Sequence, residues 1–159
     1  MSEFTHIDKQ GRVRMVDITE KEPTLRVAVA QGIVSMNPDT FDKIMNQTVQ
    51  KGNVLETARI AGIMAAKKTS ELIPMCHPLN IKHIAIDFFP DKSKSTIKIE
   101  GAVRIIDQTG VEMEALTAVS IAGLTIYDMC KSYDRKMIIS DICLIEKSGG
   151  KSGIFVRKK

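Results

Sequence analysis

The pair of residues best suited to acid–base chemistry is Asp128 and Lys131, which are three positions apart at the end of a long apolar stretch. The thirteen residues 115–127 before Asp128 carry no charge. A helix dipole disfavours an acid at a helix C-terminus, so we expect the surroundings of Asp128 to perturb its pKa. Such a pair could remove a proton from one substrate position and deliver one to another. The alternative is a surface ion pair between helix neighbours.

A second candidate is the segment Pro74-Met75-Cys76-His77-Pro78, which presents a thiol and an imidazole between two prolines. The fixed φ angles of the prolines make this connection rigid, and a rigid loop suits an imidazole that binds substrate or transfers a proton. The alternative is a buried cysteine and a histidine that is hydrogen-bonded to backbone. Adjacent Cys and His side chains diverge too much to act together as nucleophile and base.

Two acids, Glu112 and Glu114, follow Gly110 where a helix is predicted to begin. Thr109 and Glu112 have the spacing of a capping box, and Glu114 would favour the positive end of the helix dipole. Because acids are common in the first turn of any helix, this structural role is the alternative to a role in binding or catalysis.

A glycine-rich segment, Lys147 to Gly153 (KSGGKSG), combines close backbone approach with two ammonium groups. Glycine lets backbone N–H groups approach an anion, and lysine neutralises phosphate charge. The segment is not a P-loop, since that motif requires glycine where Ile145 stands. The alternative is a flexible C-terminal tail. Lys51, Lys67 and Lys68 add positive charge around a predicted helix, where a solvated face is the usual explanation.

The elements that must position these residues are indicated by the periodicity of apolar side chains. Leu25 to Ser35 alternates with a period of two, which predicts a strand with one buried face. A short helix should open at Asn37-Pro38-Asp39. Asn53 to Leu72 has apolar residues at steps of three and four, and Asn53 with Glu56 resembles a capping box, so this stretch is a predicted helix.

The second half of the chain contains a hairpin, a helix and a closing strand. Ile84 to Phe88 and Ile97 to Ile105 alternate on either side of a turn at Pro90 to Ser95. Thr109 to Ser132 is a predicted long helix, and Met137 to Ile145 a predicted strand. The resulting order is the βαββαβ arrangement of a ferredoxin-like α+β sandwich, with an antiparallel sheet and two long helices on one face. The other sheet face has no cover within the chain, so we expect self-association.

Length and composition favour a single domain over residues 1–159. The chain has 159 residues, of which 43% are hydrophobic, and this suffices for one core without disulfide or metal staples. We expect an arm at 1–20, with a turn at Gly11 between His6-Ile7 and Val13 to Ile18, and a glycine- and lysine-rich tail at 147–159. Three widely spaced cysteines without a C-x-x-C motif argue against a disulfide scaffold and a zinc site, and we expect neither metal nor cofactor.

Charge and targeting features narrow the class of partner. The uncharged stretch 115–127 is too short to span a membrane, and the polar N-terminus lacks the apolar core of a secretory signal, so we expect a cytoplasmic protein with no membrane contact. A net charge of +4 suggests an anionic partner. Only 4% of residues are aromatic, which disfavours stacking on nucleic acid and favours a phosphorylated small molecule. A non-catalytic nucleotide-sensing module is the alternative to an enzyme.

Four segments carry most of these candidate residues: MVDITEK, KGNVLETARIAGIMAAKKTSELIPMCHPL, TGVEMEALTAVSIAGLTIYDMCK and EKSGGKSG. In their sequences, order and separations they closely resemble the cyclic pyranopterin monophosphate synthase family, the molybdenum cofactor biosynthesis protein C family. The match runs from Thr5-His6 to Gly153. Departures lie in the hairpin region, Asn80 to Asp107, and at Ile154, where the family pattern has an acidic residue.

This resemblance implies a reaction, an assembly and a set of site residues. The implied reaction rearranges 3',8-cyclo-7,8-dihydro-GTP, a triphosphate, to cyclic pyranopterin monophosphate with loss of pyrophosphate. The implied assembly is a homohexamer, a trimer of dimers, with the active site between subunits. The catalytic residues that it implies are Asp128, Lys131, Lys51 and Glu112. The substrate contacts that it implies are Met75, Cys76, His77, Met113, Glu114, Arg26, Lys67, Lys147 and Lys151, with Asp17 as a weaker candidate.

Overall fold

The computed structural model describes residues 10–151 and 153–158. Gly11 has a left-handed φ of 78°, which suits the turn predicted there. The His6-Ile7 side of the predicted N-terminal hairpin lies outside the described residues. Within 13–18 the chain forms one isolated bridge, at Val13, in place of a strand.

The described chain is an antiparallel sheet with helices between its strands. Its elements are β1 (Thr24–Ser35), α1 (Pro38–Met45), α2 (Val54–Lys67), α3 (Thr69–Leu72), β2 (His83–Asp91), β3 (Thr96–Asp107), α4 (Glu112–Cys130), β4 (Ile138–Ser148) and β5 (Phe155–Val156). The strand order is β2-β3-β1-β4-β5, with every neighbouring pair antiparallel. Without the short α1, α3 and β5, this is the predicted βαββαβ order, and the ferredoxin-like α+β fold is confirmed.

The first long helix is shorter than predicted, because it breaks at Lys68 and continues only as the single turn α3. Its start follows the prediction, since the Asn53 side chain accepts a hydrogen bond from the Glu56 N–H at 3.1 Å. The predicted return hydrogen bond of the capping box, from the Asn53 N–H to the Glu56 side chain, is wrong. The Glu56 carboxylate accepts from Arg59 at 3.2 Å instead of turning back to the N-cap.

The core lies between one face of the sheet and the pair α2 and α4, and small residues bring α4 close. On β1 the fully covered residues include Ala28, Ala30 and Val34. A side chain at Gly32 or Gly101 would come within 3 Å of Val119 on α4. Only glycine therefore allows this helix to lie so close to the central strands.

The face of β1 that carries its larger apolar residues lies on the opposite side of the sheet. Leu25, Val27 and Val29 alternate with the covered alanines, and Leu25 is 59% exposed. Its neighbour across the ladder, Ile106, is 69% exposed. Within the described chain the apolar face predicted from β1 is thus not the helix-covered one, and the sheet presents uncovered apolar residues as expected.

Helix α4 is the central element of the fold. By length and composition it is the one helix of the described chain that could cross a membrane. Half of it is buried, and it packs against α2, β1, β3 and β4. This is the arrangement of a core helix, as the sequence predicts.

Candidate active site

Asp128 lies between two lysine ammonium groups at the C-terminal end of α4. The Lys51 Nζ donates to the Asp128 carbonyl oxygen at 2.9 Å and to its Oδ2 at 3.1 Å. The Lys131 Nζ is 2.7 Å from Oδ1. Each carboxylate oxygen therefore has its own charged donor. We call these three residues the acid–base cluster.

The pKa of Asp128 is perturbed, but the two lysines lower it, whereas the helix dipole named in the prediction would raise it. Hydrogen bonds from Lys131 and then from Lys51, together with their charges, lower the pKa of Asp128. The same contact with Asp128 raises the pKa of Lys131. All three side chains are about half exposed, so a substrate can reach them. At neutral pH the cluster offers one carboxylate acceptor and two ammonium donors.

Lys51 reaches Asp128 because α2 and α4 run antiparallel, which brings the loop before α2 to the end of α4. That loop is anchored by the buried Val49 and by Tyr133, whose hydroxyl oxygen accepts a hydrogen bond from the Gln50 N–H at 3.2 Å. Lys131 also lines an open groove of about 760 Å³, and the residues that line it include the charged Arg135 and Lys136.

A second group of predicted residues surrounds a cavity of about 310 Å³ at the N-terminal end of α4. We call these residues the pocket cluster: Met75, Cys76, His77, Glu112, Met113 and Glu114. Thr109, Gly110 and Leu79 complete this part of the wall. The structure thus joins two segments that are more than thirty positions apart in sequence.

The segment 16–21 forms another wall of the same cavity, which neither periodicity nor motif spacing predicts. Val16, Ile18 and Lys21 line it, and Asp17 is close enough for the charge of His77 to help lower the Asp17 pKa, after hydrogen bonds from Thr19. Val16, Asp17, Ile18 and Lys21 all lie in the MVDITEK segment, whose resemblance to the family was the available signal and gave only Asp17 as a weaker candidate.

Glu114 is the buried acid of the pocket cluster, with only 3% of its surface exposed. Burial, with a further contribution from the charge of Glu112, raises the pKa of Glu114 to about 7. Burial and the charge of Glu114 also raise the pKa of the Cys76 thiol. Cys76 is therefore a protonated thiol at neutral pH and is unsuited to nucleophilic attack.

Glu112 is held by an ion pair, and the predicted capping box is wrong. Helix α4 begins after Val111 without any side-chain cap. The Glu112 Oε1 instead lies 3.1 Å from the Lys147 Nζ, at the end of β4. The Glu112 carboxylate folds back over Gly110, where a Cβ would overlap it, so a side chain at this position would displace the carboxylate.

Arg26, in β1, reaches the connection from β3 to the same end of α4. Its Nε donates to the Asp107 carbonyl and its Nη2 to the Gln108 carbonyl, each at 3.2 Å. Lys67 is in the last turn of α2, and Lys151 is exposed in the turn after β4. Among the predicted cations, Arg26 and Lys147 are therefore the ones that contact the α4 end carrying the pocket cluster.

The two clusters do not meet within one chain. Asp128 and Met113 are fifteen residues apart on one helix, and a rise of 1.5 Å per residue separates them by about 22 Å. The chain therefore presents two separate clusters at the opposite ends of α4.

The described residues contain no group of three or more His, Cys, Asp or Glu side chains arranged to hold a metal ion. Cys76, Cys130 and Cys143 are free thiols. Burial raises the pKa of Cys130 to about 11. The acid–base cluster and the pocket cluster together offer groups for proton transfer and for binding an anion.

Comparison with known proteins defines the class of protein first. A profile of the MoaC family matches residues 15–150, which include both clusters. The chain belongs to the MoaC family.

Several individual relatives share the name of one particular enzyme. The cyclic pyranopterin monophosphate synthase of Desulforapulum autotrophicum is 63% identical over 98% of this chain and 96% of its own length. The protein of that name in Desulfatibacillum aliphaticivorans is 61% identical over 99% of both chains. The one in Pelotomaculum thermopropionicum is 57% identical over 99% of this chain and 93% of its own.

Proposed function

We propose that this chain catalyses the reaction for which its relatives are named, the formation of cyclic pyranopterin monophosphate in molybdenum cofactor biosynthesis. As a lyase it converts 3',8-cyclo-7,8-dihydro-GTP to that product and pyrophosphate. The observation that carries the proposal is the Asp128 carboxylate held between the ammonium groups of Lys51 and Lys131, at 3.1 and 2.7 Å. A ring rearrangement needs a proton removed at one atom and delivered at another, and this cluster holds both kinds of group.

Asp128 acts as the central proton acceptor, and Lys131 as its donor partner. In the free chain each ammonium lowers the basicity of the carboxylate. A substrate that engages the lysines through its phosphates or sugar releases Asp128 from these contacts and raises its basicity at the reacting centre. Lys51 stabilises negative charge that develops as pyrophosphate leaves.

The pocket cluster binds the ring system of the substrate. Met75 and Met113 offer apolar surface, whereas His77 and Glu114 offer hydrogen-bonding groups at the same cavity. Glu112 contacts the reacting part of the substrate while it stays paired with Lys147. Lys67, Lys147 and Lys151 supply positive charge for the triphosphate, and Arg26 adds positive charge at the same end of α4 while its guanidinium holds the 107–108 carbonyls.

The assembly proposed is a homohexamer, a trimer of dimers, with the active site between subunits. Two half-sites about 22 Å apart on one helix support this, because a second subunit can bring its pocket cluster to the first subunit's acid–base cluster. The exposed apolar residues Leu25 and Ile106 on the uncovered sheet face also support association. A cytoplasmic enzyme with no nucleic-acid partner is the accompanying proposal.

The test is anaerobic incubation with 3',8-cyclo-7,8-dihydro-GTP, following pyrophosphate and the pterin product together. We expect both products from the unmodified chain. Asp128→Asn should keep its fold and bind substrate but lose at least about a hundredfold in kcat, the contribution expected of a positioned acid–base group. The control is Asp39→Asn, which changes an exposed acid in α1.

Three results would each contradict part of the proposal. Binding without turnover by the unmodified chain would mean a nucleotide-sensing module. A near-normal rate for Asp128→Asn would remove that residue from the reaction. Equal losses in Asp128→Asn and Asp39→Asn would show that the assay reports a general effect of charge.

A further inference from the structure

Arg26 connects β1 to the segment that leads into α4. Its Nε and Nη2 donate to two successive carbonyls, those of Asp107 and Gln108. The Gln108 N–H in turn donates to the Asp107 Oδ1 at 2.7 Å. Two of the three guanidinium nitrogens are therefore engaged with backbone just before the pocket cluster, and the group has a fixed orientation.

Two glycines cover the remaining side of this guanidinium. Gly149 and Gly150 have left-handed φ angles of 97° and 73°. A Cβ on Gly150 would overlap the Arg26 Nη1, and a Cβ on Gly149 would overlap the Leu25 carbonyl oxygen. Both the backbone conformation and the lack of space require glycine here. We call this pair the Gly149–Gly150 turn.

Side-chain contacts and short stretches of chain connect Arg26 back to itself around the start of α4. Arg26 binds the carbonyls of 107–108, the chain runs on to Glu112, and Glu112 forms the 3.1 Å ion pair with Lys147. Lys147 is two residues before the Gly149–Gly150 turn, which returns to Arg26. Displacing the turn from Arg26 would therefore move Lys147 relative to Glu112.

We infer that Arg26 and Gly150 are positioning residues that hold the Gly149–Gly150 turn, and with it Lys147, against the start of α4. Arg26 then acts on the substrate through Lys147 and Glu112. The kinetic part of the test rests on the proposed function, whereas the exchange part below does not.

A double-mutant cycle separates this role from a direct phosphate contact. Because the overlap at Gly150 is with the guanidinium itself, Gly150→Ala should raise KM roughly tenfold when Arg26 is present, as expected for a displaced binding group. In an Arg26→Ala background the same substitution should raise KM clearly less, because the guanidinium that it displaces is absent and only the strain of a left-handed alanine remains. Gly153→Ala, with a φ of 67° and nothing within 4 Å of a Cβ, measures that strain by itself.

A charge-preserving variant gives a second discrimination. Lysine keeps the charge of Arg26 but lacks the planar guanidinium whose fixed N–H groups donate to two carbonyls at once. Under the positioning role, Arg26→Lys behaves like Arg26→Ala in KM. If Arg26→Lys retained the original KM, or if the effects of Arg26→Ala and Gly150→Ala were additive, the inference would be overturned.

Hydrogen exchange of the substrate-free protein tests the same point without turnover. Peptides covering 147–158 should take up deuterium faster in Arg26→Ala, Arg26→Lys and Gly150→Ala than in the unmodified chain. Unchanged uptake in all three variants would overturn the inference, even if the enzyme is active. Faster uptake in a chain without turnover would uphold the positioning contact while the proposed function fails.

Discussion

Asp128 illustrates how charged partners set the properties of a single residue. Its carboxylate is exposed, yet two ammonium groups within 3.1 Å lower its pKa. Glu114 shows the opposite effect, since burial raises its pKa to about 7. The surroundings therefore shift the pKa values of these two acids in opposite directions, down at Asp128 and up at Glu114.

Glu114→Gln should change how stability depends on pH. The folded pKa of Glu114 is about 7 against an ordinary value of 4.5, so the folded state binds more protons between these pH values. The contribution of Glu114 to stability is therefore most favourable below pH 4.5 and declines as pH rises to about 7, by about 3 kcal/mol at most. Urea unfolding at pH 5 and pH 8, at one protein concentration, measures the decline.

The glutamine variant should lose this part of the pH dependence, because an amide does not titrate in this range. Glu71→Gln, at an exposed glutamate in α3, is the matched control and should keep the pH profile of the unmodified chain. Parallel profiles for Glu114→Gln and the unmodified chain would contradict the account of Glu114 as a buried acid.

At the scale of elements, the packing of α2 on α4 fixes where the acid–base cluster forms. Gly62 lies at this contact, where an added Cβ would overlap the Ile86 side chain and approach the Ala118 carbonyl oxygen to 2.8 Å. Since α2 also brings the loop carrying Lys51 to Asp128, a shift of this helix affects the site as well as the core.

Gly62→Ala should destabilise the fold, although helix propensity alone favours alanine by about 1 kcal/mol. Overpacking of a tight helix contact costs about 1 to 3 kcal/mol, so we expect a net loss in the free energy of unfolding. Chemical denaturation measures it, and Met64→Ala, exposed two residues along, should change it by well under 1 kcal/mol. A stabilised Gly62→Ala variant would contradict the packing described for α2 and α4.

Most elements could be predicted from the sequence, because apolar periods of two and about 3.6 are strong in β1, β3, α2 and α4. The face of β1 could not, since Leu25 and Val27 are more apolar than Ala28 and Ala30. The close approach of α4 selects small residues on the covered face, and this depends on tertiary packing. The start of α4 was also misplaced, because Glu112 pairs with Lys147 from a distant strand.

Some features of the candidate site could be predicted from the sequence and others could not. The types of its residues and the pairing of Asp128 with Lys131 follow from local spacing, and their roles from resemblance. The contact with Lys51 could not be predicted from periodicity, because 77 positions separate it from Asp128. The arm residues Val16 and Ile18 reach the cavity through tertiary structure that no local pattern records.

In the whole molecule, the proposed active site combines one subunit's acid–base cluster with another subunit's pocket cluster. A rigid helix of nineteen residues keeps Asp128 and Glu112 at opposite ends of the same chain. Joining them within a subunit would require refolding of α4. Joining them between subunits requires only an interface.

Subunit complementation tests this claim most directly. Asp128→Asn and Glu112→Gln chains, each inactive alone, are co-expressed with different tags, and oligomers carrying both tags are purified. A mixed dimer has one intact site of two, so the purified double-tagged oligomers should recover about half of the normal activity as dimers and about a quarter as randomly mixed hexamers. The control pairs Asp128→Asn with Lys131→Met, which lie in one cluster and should not complement. Recovery with Glu112→Gln and none in the control is the predicted result, whereas double-tagged oligomers without recovery in either pairing would contradict a site shared between subunits.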